Sequence, residues 1–583
     1  MTKLKAMLLA AALILPAAPA AAAASLASGL SDSERSNYRE IFAAIRAGDW
    51  PGAAARLDSM RAGPLHDIAR AELYLAKGSP RVEIDQLLPL IAANPDMPKA
   101  GQLSRLAQTR GAVDLPPIAV TQNLVWAGSQ PRRARARPIK GDPIADALEP
   151  QIQPLIVANQ PAAAEALLIQ NEFALSTEAR TAFQQRIAWA HYLVGNDVAA
   201  RQLALKAARE GSTEWALQAE WVAALAAWRM RNCRDAGESF AIVGSRSGDP
   251  ELNAAGHYWA ARADMMCGHP ERVQGRLRNA ARLRETFYGL IAASALGIRD
   301  VNYTGLHDYR DPEWRHVAHK PNVRAAIALA EIGETGLAEE FVRHQARIGG
   351  AADHDALLHL AETLNLASAQ YWLAHNAPRG ANVNPSARYP MPAWQPARGW
   401  RVDQSLVFAH ALQESSFRAE VVSPAGATGI MQVRPGTAGD MARKRGEYFN
   451  PQQLKDPSTN IEYGQSYLEY LRDLSGTGGL LPKVIAAYNA GPAPIAEWNY
   501  RPAVNSADPL LYIESIPYWE TRGYVPIVLR NYWIYEQKAG KGSYSREALA
   551  QGLWPRFPGL VGPKAVRIEQ QAPLQSGTGY GSN

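Results

Sequence analysis

The residues best suited to chemistry lie in the last third of the chain. Ser405 to Gln413 reads as a mostly apolar, buried helix, and Glu414 stands at its end, followed by Ser415, Ser416 and Phe417. A carboxylate closing an apolar helix is poorly solvated and holds its proton tightly. A carboxylic acid in that state can serve as a general acid near neutral pH. The same pattern also describes a solvated glutamate at a helix end. Next comes Ser423-Pro424-Ala425-Gly426-Ala427-Thr428-Gly429-Ile430-Met431-Gln432. Gly426 and Gly429 allow the backbone to approach another element or a ligand closely. Met431 and Gln432 place an apolar contact beside an amide, as a packed loop also would. The run Ala486 to Gly491 ends a helix at a glycine, where Tyr488 and Asn489 can bond a polar substrate or cap the helix. Ile513 to Val525, with Glu520 and Arg522, is dense in groups able to bind sugar or one another.

Other chemistries lack their motifs. There is no His-Glu-x-x-His for zinc, no Gly-x-x-x-x-Gly-Lys-Ser/Thr for phosphate and no Gly-x-Ser-x-Gly for a serine hydrolase. Neither metal nor cofactor is expected. With 61 basic and 55 acidic residues in 583, the charge of +6 is weak, and no Lys/Arg block points to nucleic acid. Two cysteines exclude a disulfide-rich scaffold. Hydrophobic residues at 47% can fill a sizeable core, which excludes a mostly disordered chain. Fifteen Trp and 22 Tyr against 10 Phe suit a carbohydrate groove, although long helices packing large rings account for most of them.

The elements that must position these groups are helical. From Ser31 to about residue 375 the chain is rich in helix formers, with apolar residues at helical spacing such as Trp221, Ala224, Leu225 and Trp228. Short turns recur, and Gly195, Cys233 and Cys267 lie 38 and then 34 residues apart. That is the period of a helix-turn-helix repeat, whose hairpins stack into a solenoid. The fold class is therefore all-α, an amino-terminal superhelix of repeats followed by a second α-rich domain. Cys233 and Cys267 fall in matching turns of successive repeats, and in an oxidising compartment they can pair; two separate core cysteines are the alternative.

Four prolines, at 385, 390, 392 and 396, mark a connector. The expected divisions are a leader at 1–24, the repeat domain at 25–380, a linker at 381–402, the chemical domain at 403–540 and a partly disordered tail at 541–583. Lys3 and Lys5 precede the apolar run Ala6 to Leu15, then Pro16, Pro19 and Ala20 to Ala24. This is the pattern of a cleaved secretory signal, and no cysteine near it offers a lipid anchor. No later segment offers about 18 uninterrupted apolar residues to span a membrane.

Taken together, Glu414-Ser415, then Gly426-Ala427-Thr428-Gly429-Ile430-Met431-Gln432, then Ala487-Tyr488-Asn489-Ala490-Gly491, then Ile516-Pro517-Tyr518-Trp519-Glu520-Thr521-Arg522-Gly523-Tyr524-Val525 resemble the soluble lytic murein transglycosylases in content and order. Tyr258-Trp259-Ala260-Ala261-Arg262 and Thr286-Phe287-Tyr288-Gly289-Leu290 resemble helices of that family's superhelical domain. The resemblance implies a lysozyme-like catalytic domain and cleavage of the β-1,4 bond between N-acetylmuramic acid and N-acetylglucosamine without addition of water, leaving 1,6-anhydro ends. It implies peptidoglycan glycan strands as the partner and a periplasmic location. An ordinary glycosidase uses two carboxylates. When the substrate's own 6-hydroxyl is the nucleophile, one suffices, and that role falls to Glu414. By the same resemblance Ser423 bonds near the N-acetyl group and the Tyr488 hydroxyl lies by the reacting sugar. Met431, Gln432 and Asn489 take groove or support positions. Ser415, Gly426, Gly429, Glu520 and Arg522 support the site. A hydrolytic muramidase on the same fold is the first alternative and would need a second carboxylate, with Glu420, Asp440 and Glu462 nearby in sequence. A non-catalytic peptidoglycan-binding scaffold is the second.

Overall fold

The computed structural model describes residues 29–298 and 311–569. The leader at 1–24 and the extreme carboxyl terminus from 570 lie outside the described residues. The chain divides into two compact units, one of Met1–Ala127 with Leu306–Ala393 and one of Gly128–Gly305 with Trp394–Asn583. Both are built from α-helices, and the strands among the described residues are two-residue pairs.

The first unit begins with Asp32–Ala47, whose Ser31 and Glu34 form a reciprocal capping box. The box satisfies two of the amide groups a helix start leaves open. Tyr38, Phe42, Leu87, Leu103, Leu357 and Leu360 sit in one core. Val125–Trp126 pairs antiparallel with Asn376–Ala377, so the two separate chain segments of this unit are stitched by backbone hydrogen bonds.

The second unit contains the repeats and the predicted chemical segment together. Its hairpins are Thr177–Leu193 with Asp197–Glu210, Glu214–Arg229 with Cys233–Arg246, and Pro250–Met266 with Pro270–Ala281. The second helices start at 197, 233 and 270, so the true period is 36 and then 37 residues. Asn196 and Asn232 cap their helices by accepting from the amides of Ala199 and Asp235. Gly244 and Gly256 bring two of these helices backbone to backbone, and a Cβ on Gly256 would strike the Gly244 amide. Trp221, Phe240 and Trp259 join in edge and stacked contacts at 5.1 and 5.5 Å. Cys233 and Cys267 are disulfide-bonded with Cα atoms 5.6 Å apart. Cys233 opens one helix and Cys267 caps the next, so they share neighbouring turns but not the same position in the repeat.

The chemical segment packs directly on these repeats. Glu514 accepts two hydrogen bonds from Arg133, at 2.6 and 3.1 Å, and one from Tyr288 at 2.7 Å. Tyr192 bonds Ser515 at 2.8 Å, Arg262 pairs with Asp508 at 2.6 Å, and Phe287 stacks on Trp533 at 5.2 Å. Residues 541–569, read from sequence as the start of a tail, also fold onto this unit. Tyr544–Ala550 is helical, and Trp554–Pro555 pairs with Ala565–Val566. Trp554 is fully buried and donates to the Ala507 carbonyl at 2.7 Å. The Gly and Pro of this stretch serve turns around a large buried ring, which composition alone reads as a tail.

Candidate active site

Glu414 occupies the penultimate position of the helix Gln404–Ser415. Asp403 caps the start through the Ser405 amide, and Ser405 to Leu412 are buried. The helix stops because Ser416 and Phe417 take left-handed φ values of 53° and 63°. Ser415 is buried and donates to the Ile430 carbonyl at 2.7 Å, which ties the helix end to the glycine loop. Glu414 is thereby presented half-buried at the end of a fixed helix.

Tyr524 donates to Glu414 Oε1 at 2.6 Å. His410, one turn earlier on the Glu414 helix and fully buried, bonds the same hydroxyl through Nδ1 at 2.8 Å. A hydroxyl has one proton. When Glu414 is ionised that proton points at the carboxylate, so Nδ1 must carry the hydrogen donated back to the tyrosine. Burial pushes His410 down to about 3, which keeps it neutral. Burial pushes Glu414 up to about 7, and the charge of Glu520 adds to that, against the Tyr524 hydrogen bond, which lowers it. Burial and the neighbouring Glu414 charge hold Tyr524 well above the usual phenol range, so it acts as a donor.

The glycine loop is a small antiparallel knot in which Thr428 bridges both Val422 and Val433. Gly429 has φ +79°, and a Cβ there would collide with Asn460 Nδ2 and the Leu454 carbonyl. Only glycine meets both demands. Asn460, fully buried in the helix Pro457–Asp473, accepts from the Met431 amide at 2.9 Å. It also donates to the carbonyls of Thr428 and Leu454 at 2.9 and 2.8 Å. Gly426 has φ +79° with open space around it, in a turn that Ser423 closes.

The Met431 side chain is fully buried against Gly464, so of the groove and support roles only support is open to it. Its carbonyl accepts from the Tyr488 hydroxyl at 2.8 Å. Tyr488 lies against His410, ring centroids 4.5 Å apart, and burial plus the Glu414 charge hold it well above the usual phenol range. Ser423 Oγ accepts from the Ala427 amide at 3.0 Å, and the Gln432 amide donates to Gly429 and Val421 carbonyls at 2.8 and 3.2 Å. Both therefore shape the loop itself. Asn489 is fixed by Thr521, which donates to its Oδ1 at 2.6 Å, and its Nδ2 lies 3.5 Å from Glu520 Oε1. Glu520 is exposed. Arg522 turns away from this cluster to stack on Trp189, 3.9 Å from the ring centre.

Glu414 and Tyr488 thus meet around His410 and Tyr524, and Asn489 stands beside Glu520, whose charge reaches Glu414. The carboxylates named for a hydrolytic alternative are not joined to it. Glu462 is buried in ion pairs with Arg401 and Arg445 at 3.0 and 2.9 Å. Asp440 pairs with Arg443 at the surface, and Glu420 is exposed. His410 and Asn460 escaped notice in the sequence. A polar residue inside an otherwise apolar helix was the available signal for His410, and Asn460 carried none. The cluster can hold a proton on Glu414 near neutral pH and keep one carboxylate oxygen oriented while the other is free to exchange it.

Residues 392–508 match the family model described as Transglycosylase SLT domain. The chain is 40% identical over 162 residues to a soluble lytic murein transglycosylase of Salmonella typhimurium, covering 27% of this chain and 24% of that protein. It is 43% identical over 133 residues to its namesake in Escherichia coli, covering 22% and 20%. The matched span is therefore about a quarter of the length of these curated relatives. Among solved structures, the 70 kDa soluble lytic transglycosylase of Escherichia coli aligns with a TM-score of 0.54 at 18% identity, over 90% of this chain and 99% of that one. An inactive Glu-to-Gln mutant of lytic transglycosylase Slt from Pseudomonas aeruginosa aligns at 0.52 and 20% identity, over 88% and 90%. These two likenesses establish a shared α-helical fold across most of the chain. Over residues 392–508, the segment that carries Glu414, the chain is similar to the Transglycosylase SLT domain.

Proposed function

We propose that this protein is a lytic transglycosylase that cleaves the β-1,4 bond between N-acetylmuramic acid and N-acetylglucosamine in peptidoglycan, with Glu414 as its single acid/base. The observation that carries the reading is Glu414 itself, held by Tyr524 and raised to about 7 in a half-buried site. Protonated Glu414 gives its proton to the glycosidic oxygen as the bond to the muramic C1 breaks. The resulting carboxylate then takes the proton of the muramic 6-hydroxyl as O6 closes on C1. The donor is restored, no water enters, and the product ends in a 1,6-anhydro ring.

Tyr524 keeps one oxygen of the carboxylate fixed during both transfers, and neutral His410 keeps Tyr524 aimed. Tyr488, with its proton committed to the Met431 carbonyl, turns lone pairs toward the reacting centre, where they favour positive charge developing at C1. Asn489, oriented by Thr521, offers an amide to the glycan. The proposed setting is outside the cytoplasmic membrane, reached through the leader. Among the described residues no helix is long and apolar enough to cross a membrane.

Glu414→Gln keeps shape and removes the transferable proton. Positioned acid/base groups are worth about 10²–10⁴-fold, and with both transfers on one residue a loss of at least 10⁴-fold is expected in release of anhydro-muropeptides from sacculi, with sacculus binding retained. Mass spectrometry that found reducing ends in place of anhydro ends would establish hydrolysis instead. A folded variant of near-normal activity would remove Glu414 from the mechanism.

A further inference from the structure

Three groups meet in a line at the reacting carboxylate. Glu414 Oε1 lies 2.6 Å from the Tyr524 hydroxyl, and that hydroxyl lies 2.8 Å from His410 Nδ1. The far nitrogen of the ring, Nε2, is buried without a protein partner. Glu414 itself is half-buried, and among the described residues its Oε2 is neither enclosed nor hydrogen-bonded to the protein.

With Glu414 protonated, this line can run in two directions. In the first, Nδ1–H donates to Tyr524, Tyr524 donates to Oε1, and the acid proton stands on Oε2, because the unprotonated oxygen of a carboxylic acid is the better acceptor. In the second, Oε1–H donates to Tyr524, Tyr524 donates to Nδ1, and the ring hydrogen moves to Nε2. The acid proton is then turned into the protein, away from any glycosidic oxygen. A ring N–H is also left buried with no protein acceptor.

Only the first direction survives ionisation of Glu414. In the second, a bare carboxylate oxygen would face the lone pairs of Tyr524 across 2.6 Å. Passing between the two requires the ring hydrogen to leave Nδ1 and reach Nε2. An imidazolium intermediate is closed off, since burial holds His410 down at about 3. A half-turn of the ring is blocked by full burial, with the Tyr488 ring 4.5 Å away between centroids. The direction set while Glu414 is ionised is therefore kept when it is protonated.

We propose that His410 is a positioning residue that fixes this direction, so that the acid proton is always carried by Glu414 Oε2, the oxygen open to the glycan. This rests on the acid/base role given to Glu414, and specifies which oxygen performs it and which residue enforces the choice. Oε2 loses its proton to the glycosidic oxygen and regains one from the muramic 6-hydroxyl. The hydrogens on Tyr524 and on Nδ1 stay where they are through both transfers.

The test begins with the ring tautomer of His410 in the full chain, isotope-labelled at its histidine nitrogens and read by long-range proton–nitrogen NMR correlation. The signal is assigned by its loss in His410→Asn. Nδ1 should carry the hydrogen, and Nε2 none, from about pH 5 to about 9, across the titration of Glu414 at about 7. A hydrogen on Nε2, a tautomer that changes as Glu414 titrates, or an imidazolium above about pH 5 would each overturn the proposal. His410→Leu removes the donor and leaves Tyr524 free to turn from Oε1. Its kcat for anhydro-muropeptide release should fall about three- to tenfold, the contribution of one neutral hydrogen bond. KM should not change, because His410 is fully buried and does not touch the glycan. His410→Asn, which can place an amide N–H where Nδ1 stood, should recover most of that loss. Native kcat in a folded His410→Leu variant, or a rate in His410→Asn as low as in His410→Leu, would show that the ring only fills space. If His410→Leu does not fold, the native tautomer and the rate of His410→Asn decide. The tautomer is read without turnover, so a wrong tautomer overturns this proposal alone, whereas an active Glu414→Gln variant overturns the role on which it rests.

Discussion

Replacing Tyr524 with Phe deletes a single oxygen, and that oxygen holds two groups at once. It donates to Glu414 at 2.6 Å and accepts from His410 at 2.8 Å. In the native chain its bond lowers Glu414 against burial and the Glu520 charge, with the net value at about 7. A hydrogen bond to an ionised group contributes about 1.5–3 kcal/mol, and one pKa unit corresponds to about 1.4 kcal/mol. Loss of the bond should therefore raise Glu414 by roughly 1–2 units. Glu414 acts first as an acid, so activity falls as pH rises through its pKa. The alkaline limb of kcat/KM should move from about 7 in the native chain to roughly 8–9 in Tyr524→Phe. Of the groups facing Glu414, Tyr488 is held well above the phenol range, and the charge of Glu520 raises Glu414 in both chains alike. His410 stays neutral at these pH values. The maximal rate should also drop, because the carboxylate is less firmly held and the His410 Nδ1 hydrogen loses its acceptor. The assay is the initial rate of anhydro-muropeptide release at low substrate from about pH 5 to about 10, on protein shown by near-UV circular dichroism to be folded. An alkaline limb that stays in place, or moves down, would refute the claim that Tyr524 tunes Glu414.

Other perturbations have equally definite outcomes. Glu414 rises from 4.5 to about 7 on folding, so its contribution is fully favourable at acid pH and is lost as pH rises through 7. Glu414→Gln should then stabilise the fold above pH 7 by up to about 3 kcal/mol, read as a thermal midpoint that gains on the native chain as pH is raised from about 5 to about 8; an unchanged difference across that range would show Glu414 to be well solvated. Gly429→Ala meets both a left-handed φ and a collision with Asn460 and Leu454, and should cost at least about 3 kcal/mol and most of the activity; a stable, active Ala variant would show that the loop relaxes without cost. Cys233→Ser with Cys267→Ser opens a covalent loop spanning 34 residues, for which chain entropy gives about 3–4 kcal/mol. Urea titration should show that loss, with turnover retained at low temperature because the bridge lies in the repeats.

Local pattern was enough for the helices, the repeat and the choice of Glu414 as the candidate carboxylate. The apolar run 405–413 forces a buried helix, and a glutamate at its end has nowhere else to stand than at the edge of the core. The glycine at 429 and the Tyr488-Asn489 pair at a helix end also declared themselves through types that are costly or unusual where they occur. What pairs with what was decided only by the tertiary fold. His410 and Tyr524 are separated by 114 residues and Asn460 from Met431 by 29, and no periodicity reaches across such gaps. Asn460 reads as an ordinary polar residue near a helix start, and becomes the pin of the glycine loop only because Pro457–Asp473 is laid against it. The same reason hid the union of the 128–305 repeats with the chemical segment in one unit. Their junction rests on contacts between residues hundreds of positions apart, such as Glu514 with Arg133 and Tyr288 and Phe287 with Trp533. A buried glutamate and an exposed one are the same letter until the chain folds around them, and burial is what sets the proton affinity on which the chemistry depends.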